Sequence, residues 1–190
     1  IKPIVCYSAV GDANTYVLPP ARYLAWRKNQ SARTKTSTII VTYDGFSQEA
    51  KNAFQAAVDI WETLIISTVP IHISASWISL DDNVLGAASP GSYFRNFDGA
   101  QKIGCWYPVS MAEKISHQEL NDPAEADIVA SFNSDNVNWS FDTQGIVTAG
   151  KYDMVSVVLH EIGHGLGITH SYEVSGGNGS VKTGPNNPAA

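Results

Sequence analysis

The sequence predicts an α+β fold in which a twisted mixed β-sheet packs against a backing helix and a second helix that carries several histidines. A run rich in β-branched residues, Ser37 to Tyr43, has the composition of a strand. Apolar residues then recur at helical spacing from Ser47 to about Ile66. The helical period returns near Tyr152 and leads into a group of histidines. At 190 residues, the chain is long enough for one domain with a sizeable core.

The chain is expected to have three segments. Residues 1–36 have no clear period and are interrupted by prolines, which predicts an N-terminal arm or the remnant of a prosegment. Residues 37–170 contain the periodic patterns and are expected to form the folded domain. Residues 171–190 are rich in Gly, Asn, Ser and Pro, which predicts a flexible loop or linker.

Further elements are predicted between the two long helices. Apolar and polar residues alternate from Ile71 to Trp77, which indicates a half-buried strand. Ser110 and Glu113 match the capping-box pattern S-x-x-E, so a short helix is expected to begin there and run to about Leu120. Residues 126–132 are again typical of a strand.

The second long helix is expected to have one apolar face toward the core and another face that carries the histidines. Its first residue is expected near Tyr152. His160 and His164 fall on the face opposite the apolar stripe, where a cleft is expected. The residues of that stripe recur at i, i+3, i+4, i+7 and i+11: Val155, Val158, Leu159, Ile162 and Leu166.

The central motif is H-E-x-x-H-x-x-G-x-x-H, from His160 to His170. Residues four apart share one face of a helix, so His160 and His164 can hold the same metal ion. Glu161 lies beside them and is the candidate to take a proton from water. Gly167 allows the chain to leave the helix sharply, so that His170 can return as a third ligand. Three nitrogen ligands with one open position are typical of catalytic Zn²⁺.

Composition excludes several classes of partner. The net charge of −6 and the lack of a basic run argue against nucleic acid. No apolar run approaches the roughly 18 residues needed to cross a membrane.

The eleven-residue motif is the signature of the metzincin zinc endopeptidases, which this chain resembles from about Ser37 to His170. Ser171, directly after the third histidine, is similar to matrixins. Three blocks, Tyr107-Pro108, residues 127–134 and residues 157–161, also look like a group of secreted bacterial zinc-peptidase-like proteins. The resemblance implies a zincin-like fold, a secreted location and hydrolysis of peptide bonds in a protein or peptide substrate that is bound in extended form. It also implies that residues 126–132 form the edge strand that lines the substrate cleft.

Metzincins place a methionine beneath the metal, in a C-terminal subdomain that follows the motif. Both methionines here, Met111 and Met154, precede the motif. The chain therefore resembles the N-terminal subdomain, and a second polypeptide with the methionine turn is one expected partner. A non-catalytic zinc-binding module, or a latent form inactive without that chain, is the alternative to an active peptidase.

The sequence leaves alternatives open for the two cysteines and for a second cation site. Cys6 and Cys105 are expected to form a disulfide if the protein is secreted, while Cys6 as a latency switch on the zinc and two free thiols are the alternatives. A Ca²⁺ site from Asp135, Asn138 or Asp142 is the second cation site considered, although the composition favours a plain polar loop.

Overall fold

A computed structural model describes residues 4–7, 34–135, 137–169, 172–175 and 178–181 of the chain. The described part has α-helices at Gln48–Leu64 (α1), Val109–Ser116 (α2) and Met154–Gly165 (α3). Its β-strands are Ile4–Tyr7 (β1), Ile39–Asp44 (β2), Ile71–Ile78 (β3), Val84–Pro90 (β4), Tyr93–Phe94 (β5), Tyr107–Pro108 (β6), Ile128–Asn133 (β7), Trp139–Ser140 (β8), Tyr152–Asp153 (β9), Tyr172–Ser175 (β10) and Asn178–Val181 (β11). This confirms the α+β class.

Five strands form one mixed sheet in the order β1-β4-β7-β3-β2. Strands β2, β3 and β7 are parallel, whereas β4 runs antiparallel to both β7 and β1. The expectation that residues 126–132 form an edge strand is wrong, because β7 is paired on both sides. Its alternating composition fits either position, and only the pairing of distant strands decides between them.

Helix α1 begins as predicted, with Ser47 as the N-cap. Its hydroxyl accepts a hydrogen bond from the Ala50 amide at 3.2 Å, which satisfies one of the free amides at the helix start. The apolar face of the helix packs on the sheet, where Phe54 and Phe132 are fully buried with ring centroids 5.6 Å apart. Trp61 then joins α1 to α3, since its indole N–H donates to the Leu159 carbonyl at 3.2 Å.

Helix α2 differs from its prediction at both ends. Its N-cap is Pro108 and no side chain caps it, so the capping-box interpretation of Ser110 and Glu113 is wrong. The helix ends at Ser116 rather than near Leu120, because His117 takes a left-handed conformation with φ of 57°. Glu113 turns toward the C-terminal end, where its Oε1 accepts a hydrogen bond from the Leu120 amide at 3.0 Å.

Two elements lie in segments for which the sequence predicts no regular structure. Strand β1 belongs to the predicted N-terminal arm and forms only by pairing with β4. Strands β10 and β11 form a two-stranded antiparallel hairpin within the predicted loop at residues 171–190. None of the described helices has the length and apolar character needed to span a membrane.

Candidate metal centre

Helix α3 carries the motif and is anchored at its start by Asp153. The Asp153 carboxylate accepts hydrogen bonds from the amide and the hydroxyl of Ser156, at 3.2 and 2.5 Å. The helix packs on the sheet mainly through four apolar residues, which are Met154, Val157, Val158 and Ile162. The predicted stripe is therefore partly wrong: Val155, Leu159 and Leu166 are only half-buried. Because both the sheet and α1 pack against α3, the buried residues of α3 are spread over more of its circumference than a single stripe.

The two helical histidines of the motif converge. The Nε2 atoms of His160 and His164 lie 2.8 Å apart, and their rings are nearly perpendicular with centroids 4.3 Å apart. His160 is exposed, as expected for a ligand in a cleft. His164 is only 9 % exposed, so the prediction that both lie on an open face holds for His160 alone.

The turn after α3 fixes the orientation of the His164 ring. Gly167 has φ of 97°, and the amides of Gly167 and Ile168 donate to the carbonyls of His164 and Gly163 at 3.0 and 2.9 Å. This pair of hydrogen bonds is a Schellman motif. It brings the Ile168 carbonyl to 2.8 Å from Nδ1 of His164. Because a carbonyl only accepts, Nδ1 carries the proton, and Nε2 is left as the metal-binding nitrogen.

Glu161 lies in a dry position beside the histidines. Its side chain is fully buried, and neither carboxylate oxygen has a hydrogen-bond partner of normal geometry. Burial raises the pKa of Glu161 to about 8, and a backbone interaction with Ala88 of β4 offsets part of that rise. A Cβ added at Gly86 would lie 3.3 Å from Cγ of Glu161, so the absence of a side chain there makes room for the glutamate.

Cys6 lies beside His160 and Glu161. It faces Gly86 across the β1–β4 pair, and its sulfur lies within 4.8 Å of ligand atoms of both His160 and Glu161. Burial and the neighbouring Glu161 raise the pKa of the Cys6 thiol. Cys6 and Cys105 are both free thiols, so the expected disulfide is wrong.

The remaining predicted ligands have separate outcomes. His170 lies outside the described residues. Asp135 and Asp142 belong to neither group of three or more candidate ligands in the described part of the chain. Instead, Oδ1 of Asp142 accepts the amides of Gln144 and Ile146, both at 2.8 Å, and Nδ2 of Asn138 donates to the Gly150 carbonyl at 3.1 Å. These bonds are typical of the plain polar loop.

The donor set around α3 suits Zn²⁺. Imidazole nitrogens are preferred zinc ligands, and the Nε2 atoms of two imidazoles lie close together here. Burial and the adjacent His164 lower the pKa of His160, which favours the neutral, ligating form. A cation would also offset the cost of a buried Glu161 carboxylate that no hydrogen bond satisfies.

A groove of about 500 Å³ lies elsewhere, on the face of the sheet opposite the helices. It is lined by residues of β2, β3 and β7 and of the segment before β7, among them Ile40, His72 and Val129. None of the motif residues lines it. The candidate metal centre at α3 is therefore separate from this groove.

Fold and site together therefore define the class of protein, which is an α+β domain whose H-E-x-x-H helix packs against a mixed sheet. The chain belongs to the SPBPB7E8-like family, whose model matches residues 23–177. This match covers β2 to β10 and the whole of α3. No curated protein matches the chain, and no solved structure does.

Proposed function

We propose that the protein is a secreted zinc-dependent endopeptidase with a zincin-like catalytic domain. The observation that carries the proposal is the convergence of the His160 and His164 Nε2 atoms, 2.8 Å apart, beside the buried carboxylate of Glu161. His170 is assigned as the third ligand from the motif. The resemblance of the motif to metzincins supports the reaction, and the resemblance to secreted bacterial proteins supports the location.

The residues have separate roles in the proposed hydrolysis. His160, His164 and His170 would hold Zn²⁺, which supplies Lewis acidity to water and to the scissile carbonyl. Glu161 takes the proton from the attacking water and passes it to the leaving amine. Burial raises the pKa of Glu161, and a bound cation would lower it again, so that the group can exist as the carboxylate that accepts the proton. The Ile168 carbonyl holds His164 in the ligating tautomer.

Strand β4 is the proposed platform for substrate. It lies directly over Glu161, since Gly86 of β4 approaches the Cγ of that glutamate. An extended peptide can add to a sheet through main-chain hydrogen bonds at an edge. In the described structure β1 pairs with the side of β4 that faces away from β7, so a substrate would bind to β4 by taking the place of β1.

The test combines zinc analysis with peptide cleavage. The purified chain is expected to contain one equivalent of Zn²⁺ and to cleave an unstructured protein such as casein, with loss of cleavage after chelation. Glu161→Gln should keep the zinc and lose cleavage, because only the proton acceptor is removed. Glu125→Gln is the matched control, since Glu125 is exposed and belongs to no ligand group. Cleavage by Glu161→Gln at the wild-type rate would overturn the assignment.

A latent form is the second candidate, and the position of β1 favours it. Residues 4–7 occupy the β4 edge that a substrate would use, and Cys6 lies beside His160. A thiolate is a good ligand for Zn²⁺ and can fill its fourth position. In this state the protein binds zinc but does not turn over.

Cobalt substitution distinguishes the two states. If Cys6 is a ligand, the Co²⁺ form has a sulfur-to-metal charge-transfer band that Cys6→Ser removes and Cys105→Ser keeps. Cys6→Ser should then also raise the rate of casein cleavage. A wild-type spectrum without this band contradicts the latent form. Zinc binding without cleavage in both wild type and Cys6→Ser instead indicates a non-catalytic module, or an enzyme that needs a second chain with the methionine turn.

A further inference from the structure

A second cluster of candidate ligands lies away from the histidines, between α2 and β7. Carboxylate oxygens of Glu113, Glu119 and Asp127 lie within 4.8 Å of one another. Glu113 is on the last turns of α2, Glu119 is in the loop that follows, and Asp127 directly precedes β7. Glu113 is 1 % exposed and Asp127 is not exposed at all. Three acidic groups are therefore held close together in a largely dry position.

Hydrogen bonds within the protein satisfy only part of this cluster. Both oxygens of Asp127 accept, from the His72 amide at 2.7 Å and from Nδ2 of Asn121 at 3.1 Å. Oε1 of Glu113 accepts from the Leu120 amide. Three buried oxygens have no partner, and these are Oε2 of Glu113, Oε1 of Glu119 and Oδ1 of Asn121. An unsatisfied buried polar atom costs on the order of 1–3 kcal/mol, and more if it is charged.

The charge of the cluster is also uncompensated. Within the described ranges, no lysine or arginine forms an ion pair with Glu113, Glu119 or Asp127. Burial, together with the charges of Asp127 and Glu119, raises the pKa of Glu113 to about 7. Like charges held this close in a protein interior are stable only with a bound cation or a shared proton.

We propose that Glu113, Glu119 and Asp127 bind a Ca²⁺ ion, which fastens the loop between α2 and β7. Ca²⁺ takes six to eight oxygen ligands at about 2.3–2.6 Å, so oxygens within 4.8 Å of one another can surround one ion. Oε2 of Glu113 is buried and has no hydrogen-bond partner of normal geometry among the described residues, so it can serve as a ligand. The all-oxygen donor set disfavours Zn²⁺, which prefers nitrogen and sulfur. Mg²⁺ usually keeps several waters and binds through one or two carboxylates, whereas three carboxylates converge here.

This site is independent of the proposed peptidase function. It shares no residue with the histidine pair, and its expected effect is on folding stability. The ion would join the C-terminal end of α2 to the start of β7, two elements that are separated by the eleven residues 117–127. Loss of the ion should therefore loosen that loop without removing zinc from α3.

The experiment is a calcium titration of the full chain, followed by thermal unfolding and by calorimetry. In wild type, Ca²⁺ at 100 times its dissociation constant should raise the unfolding temperature by about 5–10 °C. Glu119→Gln should weaken Ca²⁺ binding at least tenfold, and it is expected to fold because Glu119 is only half-buried. Glu113→Gln should abolish the response. Glu125→Gln, a nearby exposed position, should respond like wild type.

Two outcomes would overturn the proposal. One is a wild-type protein whose unfolding temperature does not rise with millimolar Ca²⁺ at pH 8, which would mean that the carboxyl groups share a proton instead. The other is an equal rise in wild type and Glu119→Gln, which would locate the ion elsewhere. A His160→Ala variant, which lacks a zinc ligand, should keep the full calcium response and so separates this site from the peptidase proposal.

Discussion

Alanine is expected to have opposite effects at two glycines of α3 that lie only two residues apart. A Cβ at Gly163 would meet its nearest neighbours, on Ile168 and Trp61, at 3.7 Å, which is ordinary van der Waals contact. A Cβ at Gly165 would lie 2.3 Å from Cγ2 of Ile128 and 2.9 Å from two further carbons of that side chain. Carbon atoms normally approach no closer than about 3.5 Å. Helix α3 can therefore accept a methyl group at Gly163 but must move away from β7 to accept one at Gly165.

The sizes of the helical gain and of the overpacking cost decide whether alanine raises or lowers the free energy of unfolding at each position. Alanine is favoured over glycine inside a helix by about 1 kcal/mol, which Gly163→Ala should gain nearly in full. Overpacking a core costs about 1–3 kcal/mol, and an approach of 2.3 Å places Gly165→Ala in the upper part of that range, at about 2–3 kcal/mol. After the same helical gain of about 1 kcal/mol, Gly165→Ala should lose about 1–2 kcal/mol. For a chain of this size, 1 kcal/mol corresponds to about 2–4 °C in unfolding temperature.

Urea unfolding of the zinc-free protein, followed by tryptophan fluorescence, measures both effects. Gly165→Ala combined with Ile128→Ala should restore part of the loss beyond additivity, since the second change removes all three carbons that the new methyl group meets. Stability changes of the same sign in Gly163→Ala and Gly165→Ala would refute the close approach of α3 to β7.

Three further perturbations test the site and the cluster. Gly167→Ala places alanine at φ of 97°, so it should lower the free energy of unfolding in urea by about 1–2 kcal/mol. The same change should disturb the Ile168 carbonyl that orients His164, and zinc binding should weaken about 10- to 100-fold in a chelator competition. Gly86→Ala should displace Glu161 and lower casein cleavage about tenfold while the measured zinc content stays constant. Burial raises the pKa of Glu113 from 4.5 to about 7, so the folded protein holds this proton more tightly than the unfolded chain. In calcium-free protein the resulting stabilisation is complete below pH 4.5 and is lost as the pH rises through 7, a change of up to about 3 kcal/mol. Glu113→Gln should remove this slope from stability curves measured between pH 5 and 8.

The local features of α3 could be predicted from sequence because they depend on neighbours along the chain. The spacing of His160 and His164 fixes their shared face, and the glycine at position 167 predicts the sharp exit that the structure confirms. The burial of His164 could not be predicted in the same way. It depends on how α1, through Trp61, and β7, through Ile128, pack against the end of the helix, and neither contact is encoded within the motif.

Features that depend on distant pairing were missed or assigned wrongly. Strand β1 has no period of its own and exists because β4 offers it a partner about 80 residues away. The same pairing decides which strand is at the edge, and so the edge was assigned to β7 instead. No signal in residues 1–36 indicates that Cys6 lies near His160, although the reactivity of a thiol toward zinc made it a candidate.

The carboxylate cluster was hidden by a local pattern that fits a different structure. Ser110 and Glu113 match a capping box, which accounts for the glutamate without any further partner. In the folded chain Pro108 occupies the cap, and Glu113 turns away from it. Glu119 and Asp127 then join it from positions that have no common spacing. A buried acid whose local explanation fails is the feature that draws attention to such a site.

The pairing of β1 with β4 also bears on the solubility of the protein. If residues 4–7 leave, β4 becomes an open edge of the sheet with six of its seven residues buried in the present arrangement. A long apolar edge of this kind is a template for the strand of another molecule. Release of the arm would therefore expose the chain to self-association through its sheets, unless a bound peptide takes the place of β1. An activated preparation should accordingly keep better in the presence of a peptide ligand than alone.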